Sequence, residues 1–264
     1  MIEEAVRFVL VVLVGSGAQF VDGTLGMGFG VFSASLLLAS GFSPAAAVAT
    51  VNVAKILAGL SSGLAHWRVG NVRRDWLLPL IGPGIIGGAA GAYLMASIPP
   101  ERIRIWMSVV LVGMGILVLW RSLALPRIYA PPTPRDSDRR SFRARGRLGL
   151  LGLVAGFLNA LSGAYGPFAT SAVMLTERWK PHLAVGTVSL AEFFVAGAVA
   201  FTFLFEMGFE AFPWGLAVAL ALGGALSAPF AASMCRHVPS RILGLGIGLA
   251  LISLNVGAVV SLIR

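Results

Sequence analysis

A chain of 264 residues that is 57% hydrophobic and only 12% charged is too apolar to bury its hydrophobic surface inside a water-soluble fold. The net charge of +9 does not indicate a nucleic-acid-binding protein, because most of the excess lies in one connector and not on a face with interleaved aromatic side chains. The single cysteine excludes an internal disulfide and a cysteine-based metal cluster. The composition therefore predicts a membrane protein whose partner is lipid, without nucleic acid, metal or cofactor.

Long apolar runs without the alternation of barrel strands predict transmembrane helices. In the first half of the chain we predict five helical segments, at about 5–21, 25–40, 44–65, 76–97 and 102–120. In the second half we predict five more, at about 148–162, 164–177, 181–205, 212–235 and 241–263. The first two segments of each half are short for a membrane span. Each pair forms either a broken or re-entrant helix pair or two full spans, and the sequence leaves both open.

A basic connector joins the two halves. From Arg121 to Arg147 it carries eight arginines against Asp136 and Asp138, and such an excess is typical of loops on the cytoplasmic side of a membrane. We therefore divide the chain into a first transmembrane repeat at 1–120, a basic cytoplasmic linker at 121–147 and a second transmembrane repeat at 148–264.

The two halves repeat one pattern at a nearly constant offset of 137 residues. Pro44 aligns with Pro181, and the pair Thr50-Val51 aligns with Thr187-Val188. An odd number of clear spans in each half would invert the second half, and the basic loops then all fall on the cytoplasmic side. The sequence thus predicts an all-α polytopic transmembrane helix bundle of two inverted repeats, an architecture in which substrate binds near the midplane between the repeats.

Glycine-rich breaks separate the short segments at equivalent places in the two halves. A helix that restarts after a break points free N–H groups and the positive end of its dipole at the gap, which favours an anion. The alternative is that the glycines only allow close helix packing. The candidate residues of the breaks are Gly23, Thr24, Gly26, Gly28 and Gly30, with Asn159, Ser162, Gly163 and Gly166.

Two ionisable residues lie inside apolar spans, where they are costly enough to indicate function. Lys55 and Glu192 occupy equivalent positions, since 192 − 55 = 137. They form either a static ion pair or a site in which Lys55 attracts an anion while Glu192 exchanges a proton. The polar residues that precede them and share the predicted substrate site are Thr50, Asn52, Thr187 and Ser189.

Asp22, in the first break, is a second candidate for binding a coupling proton or cation. Its carboxylate could instead cap the following turn, which is a common role for aspartate at a helix boundary. The sequence leaves both roles open.

The chain resembles a known family at these residues. The break Gly23-Thr-Leu-Gly-Met-Gly-Phe-Gly30, the stretch from Gly41 to Thr50, and their echo through Pro181 and Thr187 are similar to the sulfite exporter TauE/SafE family of bacterial and archaeal membrane transporters. The resemblance covers essentially the whole chain. It implies transport of sulfite, sulfonates or other small sulfur-containing or organic anions, coupled to an ion gradient.

We therefore predict a secondary transporter of a small anion in the cytoplasmic membrane, able to form a homo-oligomer. An anion channel and a membrane assembly protein without transport activity remain open as alternatives. An enzyme is not expected, because His182 and His237 lie at predicted span ends and the metal-binding pattern His-Glu-x-x-His is absent from the sequence.

Overall fold

The computed structural model describes residues 2–128, 141–177, 179–238 and 240–260. These ranges form helices and connectors without a β-strand, and two 3-10 turns lie at Arg74–Trp76 and Phe209–Ala211. The α-helices of the first half are α1 (Ile2–Leu25), α2 (Phe29–Ala39), α3 (Pro44–Arg68), α4 (Leu77–Ser97) and α5 (Pro100–Ile128). Those of the second half are α6 (Ser141–Ser162), α7 (Tyr165–Glu177), α8 (Pro181–Met207), α9 (Trp214–Met234) and α10 (Ser240–Val260).

The predicted plan of five segments in each half agrees with these bounds. Helices α4 and α9 both begin and end 137 residues apart, and α3 and α8 both begin at a proline. Proline suits the first position of a helix, because its missing N–H has no helical partner there. Ser43 completes the start of α3 by accepting a hydrogen bond from the Ala46 N–H at 3.3 Å.

The prediction that the first two segments of each half are short is correct for α2 and α7, which have 11 and 13 residues. It is wrong for α1 and α6, which have 24 and 22 residues. Helix α1 continues through the polar residues around Asp22 because neighbouring helices bury them. Helix α6 begins at Ser141, within the basic stretch that was assigned to the linker.

The linker boundaries predicted at 120 and 148 fall inside helices. Helix α5 continues to Ile128 and α6 already includes Arg147, so parts of the 121–147 stretch extend the two repeats. Residues 129–140 lie outside the described part of the chain. Arg121, which we assigned to the exposed linker, is buried with only 5% of its surface accessible.

The helix packing follows the internal repeat. The contacts of α1 with α9 and of α3 with α9 have counterparts in those of α6 with α4 and of α8 with α4, while α3 packs on α8 and α5 on α10. Each half thus packs on the other through equivalent helices, as expected for two halves related by an approximate twofold axis.

The contact between α3 and α8 also shows their relative direction. A Cβ atom placed on Gly59 would meet Phe193, whereas one placed on Gly63 would meet Leu190. The two helices therefore run antiparallel. Since α3 and α8 are equivalent in the repeat, this is the packing that inverted halves would produce; the inverted relation itself stays a prediction.

Seven of the described helices are long and apolar enough to cross a membrane: α1, α3, α4, α5, α8, α9 and α10. Large apolar side chains face outward from them, and Leu78 and Phe205 keep 81% and 80% of their surface accessible. Lipid is the solvent that suits such a surface. The chain is an all-α polytopic membrane protein, as the composition predicted.

Candidate functional site

Lys55 and Glu192 meet where α3 crosses α8. Each is the twelfth residue of its helix, close to the middle of segments of 25 and 27 residues. The Lys55 ammonium donates a hydrogen bond to Glu192 Oε1, and the two residues are only 2% and 3% exposed. The structure therefore brings together the two charges that the repeat placed at equivalent positions.

Asp22 brings a second carboxylate to the same ammonium. Its Oδ2 atom lies 3.8 Å from Lys55 Nζ, and its Oδ1 atom is buried without a hydrogen-bond partner among the described residues. The following turn is closed by the main chain, because the Gly26 N–H donates to the Asp22 carbonyl oxygen at 2.6 Å. The side chain is thus directed to Lys55 and does not cap the turn.

The three side chains form what we call the charge cluster, namely Asp22, Lys55 and Glu192. With both carboxylates ionised, the cluster carries a net charge of −1 at the centre of a membrane protein, where an uncompensated charge costs several kcal/mol. One proton bound by either carboxylate makes the cluster neutral. Protonation of a carboxylate therefore weakens its ion pair with the Lys55 ammonium and leaves the ammonium free to bind another anion.

A small cavity adjoins the charge cluster. Its volume is about 10 Å³, and its other lining residues are Gln19, Gly59, Ser62, Ser189 and Phe193. Such a volume holds about one water molecule. A small oxyanion can reach the cluster only if the helices around the cavity separate, so the structure represents a closed conformation of the site.

The two predicted breaks begin with a glycine of similar φ angle, although the first break has three residues and the second has two. Gly26 and Gly163, which follow α1 and α6, have φ angles of 70° and 73°, a left-handed conformation that favours glycine. The Gly163 N–H donates to the Asn159 carbonyl oxygen at 2.7 Å, in the same way that Gly26 is bonded to Asp22. The repeat thus extends to the geometry of the breaks.

The breaks are also places of close packing. A Cβ atom on Gly163 would lie 2.7 Å from the Gly30 carbonyl group, and one on Gly166 would lie 3.4 Å from Asp22 Oδ1. Beyond the first break, the Phe29 ring lies 5.8 Å from Lys55 Nζ, within the range of a cation–π contact. The glycines of the breaks therefore allow the helices to pack closely and also lie next to the charge cluster.

A pair of buried asparagines joins α6 to α3 near the second break. Asn159, the equivalent of Asp22 in the repeat, donates from Nδ2 to Asn52 Oδ1 at 2.7 Å. Both residues are fully buried, and Asn159 Oδ1 has no partner among the described residues. An unpaired buried acceptor is costly, so Asn159 retains capacity for a further donor.

The remaining predicted hydroxyls bond to the main chain, except Ser189, which lines the cavity. Within their own helices, Thr24 donates to Phe20 O, Thr50 to Ala46 O and Ser162 to Leu158 O. Thr187 accepts a hydrogen bond from the Arg73 N–H at 2.9 Å, and Gly28 forms the start of α2. Within the described part of the chain, the hydroxyls of Thr24, Thr50, Ser162 and Thr187 form no hydrogen bond with the charge cluster.

Sequence reasoning did not identify Arg121 as part of this region. From α5, its guanidinium donates to the Leu25 carbonyl oxygen at 2.8 Å and lies 3.4 Å from Ser171 Oγ. It thereby ties the end of α1 to α7. The apolar residues that continue after it, from Leu123 to Leu125, were the signal that Arg121 belongs to a helix.

Comparison with known proteins supports the resemblance seen in the sequence. The family model described as sulfite exporter TauE/SafE matches residues 11–258. The chain is 32% identical over 255 residues to the probable membrane transporter protein YtnM of Bacillus subtilis (strain 168), covering 94% of this chain and 81% of that protein. It is 33% identical over 114 residues to the probable membrane transporter protein y4hK of Sinorhizobium fredii (strain NBRC 101917 / NGR234), covering 41% and 44% of the two chains. No solved structure gives a significant match.

Proposed function

Because the chain belongs to the sulfite exporter TauE/SafE family, we propose that it is a secondary transporter that moves a small sulfur oxyanion, sulfite or a sulfonate, across the cytoplasmic membrane together with a proton. The observation that carries the proposal is the Lys55 ammonium between two buried carboxylates. A membrane-buried cation whose partners can be neutralised by protons suits the binding and release of an anion.

In the proposed cycle, the carboxylates and the substrate compete for Lys55. Protonation of Glu192 removes the negative charge that holds the ammonium in the closed conformation. The ammonium then binds the oxyanion, and the cluster keeps the same total charge because one proton and one negative charge have entered together. Loss of the proton restores the ion pair and expels the anion, so that proton and substrate movements are linked.

The second break provides further groups for an anion. Helix α7 begins at Tyr165, and a Cβ atom on Gly166 in its first turn would lie 3.4 Å from Asp22 Oδ1. The start of a helix favours negative charge through its free N–H groups. An oxyanion that took the place of the Asp22 carboxylate would lie between this helix start and Lys55.

Transport assays on the purified protein in liposomes test the proposal. We expect saturable uptake of labelled sulfite and of labelled methanesulfonate, stimulated by a pH gradient. Lys55→Met removes a charged hydrogen-bond donor worth about 1.5–3 kcal/mol, which corresponds to a loss in uptake of roughly 10- to 100-fold. Glu192→Gln keeps saturable exchange and loses the response to the pH gradient.

The chain offers matched controls for both substitutions. Lys180 and Glu206 are exposed, and Lys180→Met and Glu206→Gln are expected to leave uptake within about twofold of the unsubstituted protein. Normal uptake by Lys55→Met would rule out the charge cluster as the substrate site. A flux that rises in proportion to concentration without saturation would indicate an anion channel, and the absence of uptake of both anions would reject the substrate class.

A further inference from the structure

A line of small and polar residues leads away from the charge cluster along one face of α3. After Lys55 it contains Gly59, Ser62 and His66, at spacings of four, three and four residues. Residues three and four apart lie on the same face of a helix. With a rise of 1.5 Å per residue, His66 lies about 16 Å from Lys55 along the helix axis.

His66, close to the end of α3, is fully buried. Its accessible surface is 0%, because the turn after α3 and the end of α9 cover it. The ring atom Nδ1 lies 3.2 Å from Asn71 Nδ2, so Nδ1 is the acceptor and Nε2 carries the hydrogen. That Nε2 atom is buried without a hydrogen bond of ordinary geometry among the described residues, and the ring also interacts with the backbone of Gly23 in α1.

Other unpartnered polar atoms lie between His66 and the charge cluster. Ser62 Oγ and Gln19 Nε2 are both buried without a hydrogen-bond partner in the described part of the chain, and both residues line the cavity that reaches Lys55 and Glu192. The cavity has room for about one water molecule. The Ser62 hydroxyl and a water molecule in the cavity can pass a proton by hydrogen bonds, and the Gln19 amide can donate a hydrogen bond to that water, whereas an apolar helix face can do neither.

The outer end of the line reaches the surface through a single residue. Asn71 Oδ1 accepts hydrogen bonds from Arg236 Nε and Nη2 at 3.2 and 3.0 Å, and Arg236 also donates to the Val69 carbonyl oxygen at 3.2 Å. Asn71 itself is buried, whereas Arg236 is exposed. His66 therefore lies one side chain away from the aqueous surface.

We propose that His66 relays protons between the charge cluster and the surface at Asn71 and Arg236. An incoming proton binds to Nδ1 as the Asn71 amide moves aside, and the imidazolium gives up its Nε2 proton to the cavity and then to a carboxylate. One proton enters and one leaves, and the reverse shift resets the ring. This inference rests on the proton coupling proposed above.

The groups around the ring come from several elements. His182 of α8 is close enough to interact with it electrostatically, and Arg236 follows α9 behind Asn71. On the side of the charge cluster, Ser62, one helical turn before His66, lines the cavity that adjoins the cluster. A histidine and an arginine outside the cluster thus act on His66, and both repel a proton held there and favour its onward transfer.

The relay separates two activities that can be measured on the same proteoliposomes. Exchange of labelled for unlabelled methanesulfonate without a gradient needs no net proton movement, while uptake driven by a pH gradient does. A trapped pH-sensitive dye reports the protons. Methanesulfonate is the better probe here, because sulfite itself binds a proton near neutral pH.

We expect His66→Gln to slow gradient-driven uptake and dye-reported proton entry by at least about tenfold, as for loss of an acid–base group, with exchange within about twofold of the unsubstituted protein. His237→Gln, the same change at an exposed histidine outside the relay, should alter neither activity. Equal losses of exchange and driven uptake in His66→Gln would show a structural role and overturn the relay, as would unchanged driven uptake.

The unsubstituted protein separates the relay from the function on which it rests. Saturable exchange, together with net uptake that shows no dye-reported proton entry under a pH gradient, would refute proton coupling and the relay together while leaving an anion transporter. Absence of both exchange and uptake, for methanesulfonate and for sulfite, would reject the proposed function and the relay with it.

Discussion

Two glycines with positive φ angles make different demands on their surroundings. Gly163 and Gly41 have φ angles of 73° and 93°. A Cβ atom on Gly163 would collide with the Gly30 backbone, whereas one on Gly41 would meet nothing within 4 Å. A residue with a Cβ atom would therefore strain the backbone at both positions, but it would collide with a neighbour only at Gly163.

We expect Gly41→Ala to lower the free energy of unfolding by about 1–2 kcal/mol through backbone strain alone. Gly163→Ala has the same strain and should lose roughly 1–3 kcal/mol more through overpacking. The measurement is thermal unfolding of each purified variant in detergent, followed by the uptake assay. Equal losses in the two variants would contradict the close approach of the two breaks.

The residues of the site differ in how well the sequence predicts them. Lys55 and Glu192 are identified by their offset of 137 residues, and Asp22 by its place in the break. Ser62 and His66 look like the polar edge of a span, because a single sequence does not show that other segments cover them. Their burial depends on tertiary packing by α9 and the turn after α3, which the sequence pattern does not contain.

Helix α5 stabilises the ends of two other helices. Arg121 donates to the Leu25 carbonyl oxygen at the end of α1, and Arg104 donates to the Leu38 carbonyl oxygen near the end of α2, both at 2.8 Å. Terminal carbonyl groups lack helical partners and carry the negative end of the dipole. Arg121 is buried, whereas Arg104 is exposed to its surroundings.

The two arginines form a matched pair for mutation. Lysine keeps the charge and loses the forked donor geometry, so Arg121→Lys should lower the free energy of unfolding by about 1.5–3 kcal/mol. Arg104→Lys should cost less than about 1 kcal/mol, because solvent screens exposed interactions. Chemical denaturation in detergent compares them, and a smaller loss for Arg121→Lys would be inconsistent with its buried contact to α1.

At the level of helices, the sequence predicts starts better than ends. Pro44 and Pro181 mark the first residues of α3 and α8, because proline has a local preference for that position. The ends of α1 and the beginning of α6 were misplaced, since a polar residue inside a membrane helix resembles a break until its partners are known. The number and order of helices follow from apolar runs, which are local features.

For the whole molecule, the inverted relation of the halves predicts opposite sides for equivalent connectors. Asp75 lies in the connector between α3 and α4, and Glu210 lies in the connector between α8 and α9. In intact cells, a thiol reagent that does not cross membranes should label Glu210→Cys and should label Asp75→Cys only after permeabilisation.

The native cysteine gives little background in this experiment. Burial raises the pKa of the Cys235 thiol to about 12, so the reactive thiolate is scarce at pH 7. The unsubstituted protein should therefore label slowly on either side. Labelling of both introduced cysteines from the same side would refute the inverted arrangement and leave the helix packing unchanged.

The pairing of α3 with α8 has a consequence for how such a protein can be assembled. In a symmetric homodimer, a residue on the axis meets its own copy. Two separate copies of the first half would place lysine against lysine, and two copies of the second half would place glutamate against glutamate. Lys55 can face Glu192 only because the two halves that pair are unlike. Halves expressed as separate chains should accordingly prefer each other to themselves, since like charges repel strongly in a membrane interior.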